Sequence, residues 1–103
     1  MKKVFIIISD NILANYFARI VKIVLPQSEI YFSETGKEEA SLIILDSQKT
    51  LQSLSLEDNK KVIIFSKNHS FVMNSVVSGL DVILQSRDFS RELERILIKR
   101  KLV

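Results

Sequence analysis

The chain has 103 residues, 47% of them apolar and 26% charged, with a formal net charge of +3, one histidine and no cysteine. That length suits a single domain over residues 1–103, which buries about two-thirds of its unfolded surface, enough for a layered core without staples. The missing cysteines exclude disulfides, thiolate metal sites and cysteine nucleophiles, and they suit a reducing, cytoplasmic setting. His69 alone makes a histidine metal cluster or a Ser-His-Asp triad hard to build. Two lysines precede an apolar run, Val4 to Ile8, but Asp10 follows closely. No apolar stretch approaches the roughly 20 residues of a membrane span, so a soluble protein without a membrane partner is expected.

The charge is unevenly placed. Arg87, Arg91, Arg95, Lys99, Arg100 and Lys101 stand against Asp88, Glu92 and Glu94, which leaves the first 86 residues balanced at nine against nine. A local basic patch at one end is a poor nucleic-acid signature, because that chemistry favours extended basic stripes interleaved with aromatics.

In chain order, Lys3 to Ser9 (KVFIIIS) is apolar on both faces and predicts a buried central strand. Asp10 or Asn11 can cap a helix running to Leu25, stopped by Pro26. Glu29 to Ser33 (EIYFS) reads as an edge strand, Ser41 to Asp46 (SLIILD) as a third strand, and Lys61 to Ser66 (KVIIFS) as a fourth. Between the last two, Gln48 to Glu57 spaces its leucines as a short helix would. Ser70 to Ser78 predicts a helix closed by Gly79 at a C-cap. Asp81 to Gln85 (DVILQ) is the fifth strand, and Ser90 to Lys101 the last helix, with Asp88 or Ser90 as its cap.

This alternation predicts an α/β fold: a three-layer αβα sandwich on a five-stranded parallel sheet, in the flavodoxin-like order 2-1-3-4-5. Only seven residues, ETGKEEA, separate Ser33 from Ser41. A complete βαβ crossover needs about ten to twelve, so the helix after strand two is expected to be truncated or absent. Ligands of such sheets bind at the carboxyl ends of the strands. Those ends carry Ser9, Asp10 and Asn11, then Asp46 and Ser47, Ser66 and Lys67, and Ser86 and Arg87. Gly36 and Gly79 are the only glycines, which excludes a P-loop and a dinucleotide fingerprint.

The acidic SDN after strand one, Asp46 ending LIILD, Ser66 ending VIIFS, and GLDVILQS together resemble the receiver domain of two-component response regulators. ETGKEEA resembles the start of that family's second helix. The resemblance, spanning nearly the whole chain, implies a phosphoacceptor at Asp46, a divalent cation shared by Asp10 and Asp46, and a switch hydroxyl at Ser66. The chain also departs from the family pattern. Ser9 stands where the first acid of the pair belongs. Ser86 falls at the position of the family's lysine, with Arg87 one residue on, and an arginine differs from lysine in reach and geometry. The expected proline and glycine are missing from SQKTLQSL, and Ile83 takes the aromatic switch position. Each residue has a plainer reading: Asp46 and Asp10 as helix caps, Ser66 as a strand-end hydroxyl bonding nearby backbone, His69 as an exposed loop residue.

With so degenerate a pocket, function is expected on an outer surface. Phe89, Leu93, Ile96 and Leu97 form the core stripe of the last helix, whereas Ile98 and Leu102 fall opposite, among Arg91 and Arg95. The first helix is apolar over well over half its circumference, with Asn15, Arg19 and Lys22 as its polar strip. These residues predict a stand-alone receiver-like signalling module, not an enzyme, that acts through a protein partner or as a homodimer across its first and last helices. Phosphorylation is then lost or vestigial, with no cofactor beyond weakly held Mg²⁺. The alternative is a working phosphoacceptor at Asp46 with Mg²⁺ held by Asp10. Nucleic-acid binding through the last helix is a third reading, which salt dependence would expose.

Overall fold

Five parallel strands make one sheet: β1 (Lys3–Ile7), β2 (Glu29–Tyr31), β3 (Leu42–Leu45), β4 (Val62–Ser66) and β5 (Asp81–Leu84), in the order β2-β1-β3-β4-β5. This is the flavodoxin-like arrangement. The computed structural model describes residues 2–33, 39–54, 61–84 and 89–100, residue 84 by its backbone alone. Helices α1 (Asn11–Val24), α2 (Gln48–Gln52), α3 (His69–Val77) and α4 (Phe89–Lys99) complete the described elements. Among the described residues, no helix is long and apolar enough to cross a membrane.

The apolar strands are explained by burial on both sides. Side chains alternate across a strand, so a sheet covered twice needs apolar residues at every position. Val4, Ile6, Leu42, Ile44, Ile63, Phe65 and Ile83 face one layer, where they pack with Phe17 and Val21 of α1 and Leu93, Ile96 and Leu97 of α4. Phe5, Ile43, Leu45, Val62 and Ile64 face the other, against Phe71 of α3 and Leu51 of α2. Phe17 meets Phe65 edge-on at 4.7 Å, and Phe89 tilts against both rings. Such aromatic packing adds about 0.5–1.5 kcal/mol per pair beyond the area buried.

Helix ends follow the local chemistry. Asp10 Oδ1 accepts hydrogen bonds from the backbone N–H groups of Ile12 (2.9 Å) and Leu13 (3.3 Å), capping α1. Leu25 closes that helix just ahead of Pro26, and the Ser28 hydroxyl donates to the Leu25 carbonyl at 2.8 Å. At the end of α3, Gly79 N–H bonds the Val76 carbonyl and Leu80 N–H the Ser75 carbonyl, both at 3.0 Å. That double pattern requires a left-handed residue, and Gly79 adopts φ +82.

Three expectations need adjustment. The helix after β4 begins at His69 rather than Ser70, because Asn68 caps it: Asn68 Oδ1 accepts from Phe71 N–H at 3.1 Å. Ser90 is the second residue of α4 and not its cap, and the other candidate, Asp88, lies outside the described residues. The short helix beginning at Gln48 ends at Gln52, although residues 55–60 lie outside the described set. The stretch ETGKEEA, on which the helix after β2 is expected to be truncated or absent, has its residues 34–38 likewise outside it. The crossover returns at Ala40, which is buried, and Ser41 N–H joins the Lys3 carbonyl at 2.8 Å.

Candidate functional site

Parallel strands align their carboxyl ends, so β1, β3 and β4 deliver Ser9, Asp46 and Ser66 to one edge of the sheet. With Asp10, Lys67 and Asn68 they line a cleft of about 550 Å³, walled on its apolar side by Leu13 and Phe65. Five strand-end residues read from the sequence thus share one depression: Ser9, Asp10, Asp46, Ser66 and Lys67.

The contacts within it are specific. The Ser9 hydroxyl donates to Asp46 Oδ2 at 2.9 Å, and the Ser9 backbone N–H donates to the same oxygen at 3.1 Å. One residue therefore supplies two donors to one carboxylate oxygen, tying the end of β1 to the end of β3. Asp46 Oδ1 accepts no hydrogen bond from the described residues. Asp46 is not the cap of α2; Ser47 holds that position, without a side-chain hydrogen bond. Asp10 is half committed, since its Oδ1 serves α1. Ser66 is buried, and its Oγ accepts from Asn68 N–H at 3.0 Å, an internal turn at the strand end.

These groups do not fit a divalent cation well. Mg²⁺ requires near-octahedral oxygen ligands, usually one or two carboxylates aided by waters or phosphate. Here Asp46 Oδ2 is held by two donors and Asp10 Oδ1 by two backbone N–H groups. Among the described residues no third acid or histidine joins them. Ser9 is neutral and adds no charge that would draw a cation in. What the arrangement does chemically is fix a carboxylate in place by neutral hydrogen bonds.

Ser86 and Arg87 fall outside the described residues, as does Leu102. Ile83 is fully buried on β5 and pairs in register with Phe65. His69 is exposed as the first residue of α3. On α4, Arg91 is exposed, Arg95 holds Glu92 at 2.8 Å, and Ile98 stands 56% exposed. On α1, Ile12, Tyr16 and Ile23 project outward, at 81%, 50% and 78% exposure. No protein-family model, curated protein or solved structure matches the chain. The resemblance to receivers therefore stands on this chain's own residues, and a shared fold does not carry a function with it.

Lys67, expected at a strand end, also lines the cleft. One feature escaped the sequence reading: an apolar patch on α3, where Met73, Val76 and Val77 are exposed while Ser75 is turned inward. Their spacing of three and four residues was a visible signal of a shared face.

Proposed function

We propose that the chain is an atypical receiver-like signalling module that works by protein contact, with phosphorylation lost or vestigial. The observation that carries this reading is the double hydrogen bond from Ser9 to Asp46 where a metal-binding acid would be needed. A phosphoacceptor carboxylate must be free to attack, and the negative charge on the phosphoryl oxygens it approaches must be balanced by a cation. In this cleft one oxygen of Asp46 is occupied and the first acid is missing. The outward apolar residues of α1 and α4 support the second half of the reading, since clustered exposed apolar groups mark interaction surfaces.

The competing reading, a working phosphoacceptor at Asp46 with Mg²⁺ on Asp10, draws on the same cleft and on the open Oδ1. A Mg²⁺ titration followed by backbone amide shifts separates the two. Contact-based function predicts that the amides of Ser9, Asp10, Asp46 and Lys67 stay unmoved at millimolar Mg²⁺. A saturable shift centred on them would favour the phosphoacceptor.

A further inference from the structure

We infer that the exposed ridge of α1 docks an acidic amphipathic helix of another protein, an inference that rests on the contact-based reading above. Ile12, Tyr16, Arg19 and Ile23 are spaced by four, three and four residues. At 100° per residue they fall within about 60° of arc, the repeat by which one helix packs along another. The core face of the same helix is supplied by Ala14, Phe17 and Val21. The ridge lies opposite to them and cannot be buried by this domain's own sheet. It runs for about three turns, long enough to seat a partner helix of similar length.

Charge selects the occupant. Helix α1 carries Arg19 and Lys22 and no acidic residue. Tyr16 touches Phe89 with ring centroids 5.4 Å apart, which joins the ridge to α4 and its Arg91 and Arg95. Arg95 pairs with Glu92, whereas Arg19 and Arg91 have no ion pair among the described residues. Lys22 is turned aside to donate to the Ser28 carbonyl, and a second copy docked ridge to ridge about Arg19 would set the two Arg19 cations against each other across a two-fold axis. A partner helix with carboxylates flanking an apolar seam instead neutralises this charge and covers Ile12, Tyr16 and Ile23. A lipid surface fits less well, because interfacial helices need a broad apolar face and this ridge is narrow.

The test uses capped synthetic helices of about 21 residues, three heptads, with leucine at the seam positions and glutamate beside them. Companion peptides replace glutamate with lysine, or the seam leucines with glutamine, and vesicles of phosphatidylglycerol serve as the lipid arm. Binding is read by fluorescence anisotropy and mapped by amide shifts on the intact chain. The acidic, leucine-bearing helix is expected to bind, to shift Ile12, Tyr16, Arg19 and Ile23, and to weaken as salt is raised. Ile12→Gln with Ile23→Gln, or Arg19→Glu alone, should weaken it by about tenfold or more. These positions are solvent-facing, so circular dichroism should show both variants folded; Arg19→Glu stands as the decisive variant if the double change does not fold. Equal binding of the lysine peptide, binding to the vesicles instead, or no binding of the acidic peptide would overturn the inference. Sedimentation equilibrium then separates two kinds of failure. A dimer whose hydrogen-exchange protection covers α1 would keep the face as an interface and reject only its acidic occupant. A monomer that binds none of the probes would reject the ridge as a docking face, and the Mg²⁺ titration above then decides the contact-based reading by itself.

Discussion

Ser9 sits where the backbone leaves β1, and its two donors converge on one oxygen of Asp46. Replacing it by an acid is the sharpest change available at the residue scale. Ser9→Asp removes the hydroxyl donor and sets a like charge beside Asp46, at a cost of about 1–2 kcal/mol at this exposed location. The variant should melt below the wild type in chelator and recover with Mg²⁺, while the wild type is indifferent to the ion. Thermal denaturation with and without Mg²⁺ checks this, and an equal Mg²⁺ response of both proteins would speak against the role given to Ser9. Much of this cleft could be read in the sequence, because strand-end residues of a parallel sheet must share an edge. The direction of the Ser9–Asp46 bonds could not, since a period of two says which face a side chain takes and not which partner it meets.

At the scale of elements, the last helix is anchored by its end. Arg100 donates to Asp81 Oδ2 through Nε (3.0 Å) and Nη2 (2.7 Å), and Nη2 also reaches the Val62 carbonyl at 2.8 Å. Lys99 takes the other carboxylate oxygen at 2.8 Å. Burial pushes the Asp81 carboxyl up, but the hydrogen bonds and charges of Lys99 and Arg100 outweigh it and hold the carboxyl below its ordinary value. A depressed carboxyl is ionised in the folded chain at pH values where the unfolded chain binds a proton. The clamp's stabilisation is therefore present above the unfolded value, near 4, and is lost as pH falls through the lower, folded one. Asp81→Asn should lower stability at neutral pH by about 1–2 kcal/mol and flatten that acid loss. Urea denaturation across acidic pH measures both effects; an unchanged acid limb would show that Asp81 is not the group concerned. The clamp was invisible in the sequence, because its partners lie 19 residues apart and no local period links them. By contrast, α1 and the core stripe of α4 were readable from their strong apolar periodicity. Which face of helix α3 turns inward was not legible for a physical reason: Ser75 is buried and bonds the Phe71 carbonyl at 2.8 Å, satisfying itself locally and leaving Val76 and Val77 outside.

Across the whole molecule, strand count, parallel direction and order were readable because β1, β3 and β4 are apolar at nearly every position. Only a sheet covered on both faces demands that pattern. Strand ends came out shorter than the apolar runs: β1 stops at Ile7, since Ser9 leaves the ladder to hold Asp46. The described basic residues of the C-terminal end are not free for one purpose either. Arg100 and Lys99 serve the fold, Arg95 is paired on its own helix, and Arg91 remains outward. That division favours a protein surface over a phosphate-tracking stripe. The account turns on whether Asp46 accepts a phosphoryl group. Intact-mass measurement after treatment with a small phosphodonor and Mg²⁺, with Asp46→Asn as control, decides it most directly. The account predicts that treatment leaves the mass of each protein unchanged. A gain of about 80 Da, one phosphoryl group, confined to the wild type would contradict it.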